Sequence, residues 1–513
     1  KPQKTESETE KVWREDLEYY KSLSTEAKAV FESLKSKADE TANAACFLAA
    51  HGAETLRENH EKMKDTRLLI WNGVYWQPNE SKALGLMNRI LRVRATIALQ
   101  SDNATAGKIL KNATRQTRDS LLYAIIESKS VEPNDLDAKD IFPLQNASID
   151  LQTLKSYDPC KDDLMTYALD YDYDPQADCP RFRKFMREIF VHDDRETPND
   201  PLIEQMQRYL GYCLTTMVNE QILVMLHGKG ANGKSVLIET LEHVFGVLSV
   251  DMDSKVFSTK HDDPRNRATI RLKGKRLCFA NESRRGIKIK SEMIKSLTGG
   301  DKQQGAALYK DTVEFKPTAK ILFSFNHKPE VDGDDDAMFR RVILIPMHAK
   351  FEGKRKDGKI GEKLKNERAG ILNYLLEGLA KYQKHGLDFL SVQDVSEAVN
   401  EYRAESDSIS AFIMECCEIG DVLTHKTKSG ELLKAYKSFC LESDFRAVKR
   451  NEFYQALSDV KGVEKQHTEY GNVYRGLKII SEQSEMNFQP QPPQPPADDA
   501  PPPNAVLESD TPF

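Results

Sequence analysis

The sequence predicts an α/β core on a mostly parallel sheet, with helical regions on both sides of it in the chain, a smaller unit after it and a disordered tail. Three observations predict this. Four apolar runs read as strands: "QILVML" (221–226), "RLCFA" (276–280), "KILFSF" (320–325) and "RVILIPM" (341–347). The stretch "VMLHGKGANGKSVLIETL" (224–241) passes from an apolar run through three glycines to Lys-Ser, then to apolar residues at helical spacing. Strands that alternate with helices pack as a parallel sheet covered by those helices. Finally, residues 481–513 hold nine prolines in 33 residues and cannot build a core.

Taken in order, residues 8–65 are rich in Glu, Lys and Ala at helical spacing and predict helices. "LLIWNGVYWQPN" (68–79) alternates and carries Asn-Gly, which predicts a hairpin. Helices are expected again over 82–128, short strands with a turn over 141–154, and helix over 180–217. After the core, helices are expected at 361–384, where "GILNYLLEGLAKY" is amphipathic. The domain limits are a mainly helical region over 1–200, the core over 201–350, a helical segment over 351–404, a small unit over 405–480 and the tail from 481. No internal repeat is visible.

The 513 residues suffice for three or four domains, and 39% hydrophobic residues allow large cores. No apolar run approaches the roughly 20 residues of a bilayer span. The first residue is Lys1, so a fragment of a longer protein is expected, and a trimmed start would hide a signal peptide. The eight cysteines are scattered without a CxxC pair, against a zinc ribbon or finger and in keeping with reduced thiols in a cytosol. The net charge of -6 comes from the tail, which has six acids and no Lys or Arg; the remainder balances 74 basic against 74 acidic residues. Residues 255–295 carry thirteen Lys or Arg against four acids, a local basic patch that favours a polyanionic partner.

Gly228-Lys229-Gly230-Ala231-Asn232-Gly233-Lys234-Ser235 fits GxxxxGK[ST]. Glycines allow the tight turns that aim backbone N–H groups at phosphate oxygens, and the following helix adds its positive end. Gly228, Gly230, Asn232, Gly233, Lys234 and Ser235 are the expected nucleotide ligands. Lys234 is expected to reach the β and γ phosphates, and Ser235 to hold Mg²⁺. Between a strand and a helix this pattern predicts ATP and Mg²⁺ as cofactors.

Hydrolysis also needs an acid at a strand end, and "KRLCFANES" supplies Glu282, expected at the metal and the attacking water. Asn281 stands where many such ATPases carry a second acid, leaving Asp301 as a fallback carboxylate. Asn326, after "KILFSF", suits a residue that orients the attacking water. Arg340 and Arg341 precede the fourth strand; one of them is expected to stabilise phosphoryl-transfer charge on a neighbouring subunit's ATP. The alternating acids of "LDYDYDP" (169–175) mimic a metal site but have no positioned His partner.

"GKGANGKS", "FANES", "IKSLTGGD", "LFSFNHKP" and "FRRVILIP", in this order, resemble the superfamily 3 helicases, and most closely the helicase part of phage, plasmid and poxvirus primase-helicases. "NASIDLQTL", "YDPQADCPRFRKFMREIF" and "MQRYLGYCLT" resemble the domain preceding that core, so the resemblance covers roughly residues 65–400. It implies an AAA+ P-loop ATPase core, a hexameric ring with ATP between subunits, a region before the core that serves as a collar, and single-stranded or forked DNA in the central channel. It implies translocation 3′→5′, a channel loop after Thr298–Asp301 with Lys295, Lys302 and Lys310 as DNA contacts, and a primase domain upstream or on a separate protein. A bacterial host cytosol is the expected location for a phage or mobile element.

Residues 405–480 suggest three helices and a hairpin, which suits a winged helix with Lys449, Arg450 and Asn451 opening a helix that enters a major groove. The final "ESDTPF" is similar to the tip of bacterial single-stranded-DNA-binding proteins, so Asp510, Pro512 and Phe513 are candidate contacts for host replication proteins. Two other functions compete with a helicase motor: an origin-binding initiator that melts DNA locally, and an ATP-binding scaffold without productive turnover.

Overall fold

The computed structural model describes residues 8–59, 66–115, 117–258, 267–282, 288–306, 312–331, 336–406, 408–443, 445, 447–468 and 471–480. The chain divides into two units, 1–403 and 404–513.

The first unit begins with helices Glu8–Ser22, Thr25–Ser33 and Glu40–His51. Ser24 and Asp39 cap the second and third, each accepting the backbone N–H three residues on. The expectation of helix throughout 8–65 fails at Thr55–Glu58, a strand that pairs antiparallel with Arg67–Trp71 and parallel with Ser130–Val131. Leu56 and Leu69 are buried there, so tertiary pairing overrides the local helical composition. The Arg67–Trp71 and Trp76–Pro78 hairpin forms where the Asn-Gly sits. Helices Glu80–Ala98, Asn103–Arg115 and Thr117–Glu127 follow and bury Met87, Ile90, Leu91 and Ile109 against Phe31 and Phe47.

Short antiparallel strands at 141–143, 148–150 and 155–157 lead into helices Pro180–Ile189 and Asp200–Tyr212. These belong to the same hydrophobic core as the large sheet, which runs continuously from Phe142 to Tyr402. Helix Asp200–Tyr212 lies directly on helix Arg368–His385. Their backbones touch through glycines: a Cβ on Gly378 would stand 2.0 Å from the Gln207 carbonyl oxygen, and one on Gly211 2.1 Å from the Leu379 nitrogen.

The large sheet has five strands: β1 (Leu223–His227), β2 (Ser249–Asp253), β3 (Leu277–Glu282), β4 (Lys320–Phe325) and β5 (Val342–Pro346). All adjacent pairs are parallel and the order is 5-1-4-3-2. Both faces are covered, so β1, β4 and β5 are near-continuous apolar runs rather than alternating ones. β2 was not among the four expected strands. Its "SVDMD" is an edge strand that buries only Val250 and Met252, too few apolar residues to stand out.

In the second unit, helices Ser408–Cys416, Ser429–Glu442 and Arg450–Asp459 pack on a three-stranded antiparallel sheet ordered Lys426–Lys428, Gly471–Arg475, Glu464–Thr468. Tyr436 and Phe453 stack at its centre, with ring centroids 4.4 Å apart. Two strands between the first two helices, Cys417–Ile419 and Lys426–Lys428, are additions to the expected three helices and hairpin. Asp510, Pro512 and Phe513 lie outside the described residues.

Candidate functional site

Parallel strands send every carboxyl end to the same side of the sheet. In register, Glu282 stands beside Phe325, and Phe325 beside His227. The loop after β1, the end of β3 and Asn326 after β4 therefore share one edge. With neighbouring strands about 4.8 Å apart, Glu282 and His227 are separated by about 10 Å across β4. The side chain of Glu282 lies outside the described residues.

The glycine-rich loop leaves β1 at Gly228 and enters helix Lys234–Phe245. Gly230, Ala231 and Gly233 have φ of +92°, +51° and +89°, the left-handed values that turn successive N–H groups toward one side. Gly233 is also required by packing: a Cβ there would lie 2.5 Å from Cγ2 of Ile189. At Gly230 a Cβ would meet nothing within 4 Å, so that side of the loop is open. Residues beyond β5 hold the loop in place. The Phe351 N–H donates to the Ala231 carbonyl at 2.7 Å, and the Met347 N–H to the His227 carbonyl at 2.7 Å.

Lys234 is buried, its amine donating to the Gly228 carbonyl and to Asn232 Oδ1 at 3.1 Å. Burial pushes this amine down to about 8. Ser235 is exposed at the first turn of the helix, free to meet a cation. Burial, with Lys328 and Lys234 nearby, pushes His227 down to about 4 and keeps it neutral. Asn281 is exposed and donates to Asp251 Oδ1 at 3.4 Å. The structure thus offers a carboxylate on β2 that sequence reasoning missed. The fallback Asp301 belongs elsewhere: Gly300 packs on Val218, which precedes β1, so this turn sits at the opposite edge of the sheet. A capped helix end fixes that placement, since Gly300 closes helix Ser291–Gly299 at φ +73°.

Arg340 and Arg341 also lie at the opposite edge, before β5 begins. The length of the strands, about 17 Å, separates them from their own chain's glycine-rich loop. Arg340 is exposed. Arg341 is engaged, donating to the Ala337 carbonyl at 2.6 Å and to Gln221 Oε1 at 3.2 Å.

Lys302 is exposed at the base of an antiparallel hairpin, Gln303–Gly305 with Val313–Phe315, and pairs with Glu314 at 2.7 Å. Lys310 lies outside the described residues. Lys295 is half-buried on helix Ser291–Gly299. In the second unit Lys449 and Arg450 are exposed at the start of helix Arg450–Asp459, Arg450 over the Tyr454 ring. Of the acids of "LDYDYDP", Asp170 pairs with Arg368 at 2.7 Å while Asp172 and Asp174 are exposed; the neighbouring Tyr171 donates to the Val244 carbonyl.

The floor of the loop was not foreseen. Phe185 and Ile189 of helix Pro180–Ile189 press against Gly233, and Glu367 caps that helix by accepting the Arg181 and Phe182 N–H groups at 3.0 and 2.9 Å. Only the demand for glycine at position 233 hinted at a close neighbour.

Comparison with known proteins finds two family models and several named relatives. Residues 47–191 match the family model described as D5 N terminal like, and residues 226–341 match a family of unknown function, DUF5906. A protein named as a helicase in Acanthamoeba polyphaga mimivirus is 29% identical over 360 residues, 64% of this chain and 36% of the relative. One named likewise in Invertebrate iridescent virus 6 is 26% identical, over 52% of this chain and 28% of the relative. Primase D5 of Fowlpox virus is 25% identical, over 30% of this chain and 20% of the relative. The C-terminal region of NrS-1 is similar in structure with a TM-score of 0.39 at 13% identity, covering 63% of this chain and 80% of that one. The chain is similar to the D5-type primase-helicases in these stretches. It spans about a third of the length of the curated relatives it matches first. No helix among the described residues is long and apolar enough to cross a membrane.

Proposed function

We propose that this chain is the motor part of an ATP-dependent DNA helicase, an AAA+ module that works as a ring, by family a hexamer moving 3′→5′ on single-stranded DNA. One observation carries the reading. The 5-1-4-3-2 parallel sheet brings the phosphate loop, Glu282 and Asn326 to one edge and puts Arg340 and Arg341 on the other. A single chain then holds a phosphate-binding half-site and a charge-stabilising half-site that cannot serve each other. A ring joins them, with one subunit's arginine at its neighbour's ATP. Exposed Arg340 is the finger, while Arg341 anchors its own strand. Mg²⁺, with Ser235 and Glu282 as ligands, would supply neutralisation of phosphate charge; Asp251, reached through Asn281, is a further acid nearby. Glu282 and Asn326 hold the attacking water, and the 303–315 hairpin moves DNA through Lys302 and Lys310, with Lys295 behind it.

The order of helices and strands in the second unit supports a winged helix with Lys449 and Arg450 toward DNA. That favours an origin-melting role as the second reading. A primase segment and host proteins that read Asp510, Pro512 and Phe513 are further proposed partners.

The test is ATP hydrolysis with and without single-stranded DNA, beside Lys234→Ala and Glu282→Gln. DNA-stimulated turnover lost in both variants supports the motor. Binding of ATP without turnover, indifferent to Glu282→Gln, sinks it and leaves a nucleotide-gated scaffold. Forked DNA against origin duplex separates motor from initiator.

A further inference from the structure

On the side of the sheet away from the phosphate loop, the first unit contains a cleft of about 770 Å³. One wall comes from the small four-stranded sheet, through Arg67 and Leu69. The other comes from the Lys273-Gly274 turn and from the base of the 303–315 hairpin. Four exposed cations line it: Arg67, Lys273, Lys302 and Lys316. Its polar surface includes Asn134, Thr166, Tyr167, Thr216 and Thr318.

Charge pairing divides these cations. Lys302 is matched by Glu314 at 2.7 Å. Arg276, also in the lining, is matched by Asp140 at 2.9 Å and held by the Leu214 carbonyl at 2.9 Å. Asp137 is satisfied by the Thr166 N–H at 2.6 Å. Glu58, also in the lining, stands opposite Arg67 in the strand register; Arg67, Lys273 and Lys316 are long exposed side chains around the opening, drawn from segments far apart in sequence. Cations on facing walls suit a chain of phosphates rather than one phosphate group, and hydroxyls and amides suit sugar and phosphate oxygens.

We propose that this cleft is a second seat for single-stranded DNA, holding its phosphate backbone without regard to sequence beside the base of the hairpin. The proposal rests on the motor reading above and names a binding surface apart from the DNA contacts proposed for Lys295 and Lys310.

The experiment is binding of the full chain to a fluorescein-labelled oligothymidylate over a range of salt concentrations. Each phosphate contact in a single strand contributes about 0.7 to the slope of log affinity against log salt. The variant Arg67→Gln/Lys273→Gln/Lys316→Gln is expected to bind more weakly, with a slope shallower by about 2. All three side chains are exposed, so its melting temperature should match the parent's. Should it melt early, Lys273→Gln alone is expected to lower the slope by about 0.7. An unchanged slope and affinity, with DNA-stimulated ATP turnover intact, overturns the cleft alone. Failure of DNA to stimulate turnover in the parent chain instead overturns the motor reading.

Discussion

Two buried lysines stand at opposite ends of the sheet. Lys234 follows β1 at the carboxyl edge, its amine folded back onto the Gly228 carbonyl and Asn232. Lys320 opens β4 at the other edge, its amine donating to the carbonyls of Thr215, Met217 and Thr318 and lying 4.9 Å from the centre of the Tyr212 ring. Burial lowers both, to about 8 and about 7. Their environments differ in one respect. Lys234 faces a loop whose far side is open, and its present partners are those of the loop itself. Lys320 is enclosed by carbonyls from three positions. Two lysines with similar burial thus differ in their surroundings: on the proposed reading one trades its partners for phosphate, while the other ties the preceding loop to the sheet.

The largest expected difference between them is in catalysis. Lys234→Ala should lower ATP turnover by about 10²–10³-fold or more, as loss of a phosphate-stabilising group does, and leave the melting temperature near the parent's. Steady-state hydrolysis and a thermal melt check both halves. Lys320→Met should show the reverse pattern. Unmatched carbonyls cost about 1–3 kcal/mol each when a donor is removed, so the melting temperature falls while nucleotide affinity is kept. Equal loss of turnover in the two variants would erase the distinction.

Proton linkage sharpens it. Phosphate charge raises the Lys234 amine from about 8, so the nucleotide complex binds more protons than the free protein above that pH. Affinity should be flat below pH 8 and weaken above it, by up to about tenfold per unit, measured by titration calorimetry. Lys320 acts on stability instead. Its folded value, about 7, lies below the ordinary 10.5, so the unfolded chain binds more protons between them. Its contribution to stability should rise from pH 7 to 10.5, and Lys320→Met should lack that rise in urea melts.

A smaller effect separates the two arginines near Lys320. Arg341→Ala removes bonds to Ala337 and Gln221 and should cost about 1–2 kcal/mol of stability. Arg340→Ala should leave stability unchanged and lower turnover. When the variant is mixed with Glu282→Gln protein, activity should partly return at interfaces that pair the intact halves. No recovery at any mixing ratio would break the trans assignment.

Sequence alone carried the glycine-rich loop between strand and helix, because its glycines are a local requirement: φ is fixed residue by residue and the strand and helix on either side are continuous apolar patterns. It carried four of the five core strands and the position of Glu282 and Asn326 at strand ends for the same reason. β2 and the Thr55–Glu58 strand were illegible, since half-buried strands owe their state to a partner rather than to composition. Only tertiary structure decided which residues share an edge. Register placed Glu282 and Asn326 with the loop, and sent Asp301, Arg340 and Arg341 to the far side. It also set Ile189 beneath Gly233 and gave Asn281 a carboxylate at Asp251. Those are contacts between segments tens of residues apart. They depend on strand order and direction, which no local pattern encodes, and on packing that closes only when the whole sheet is assembled.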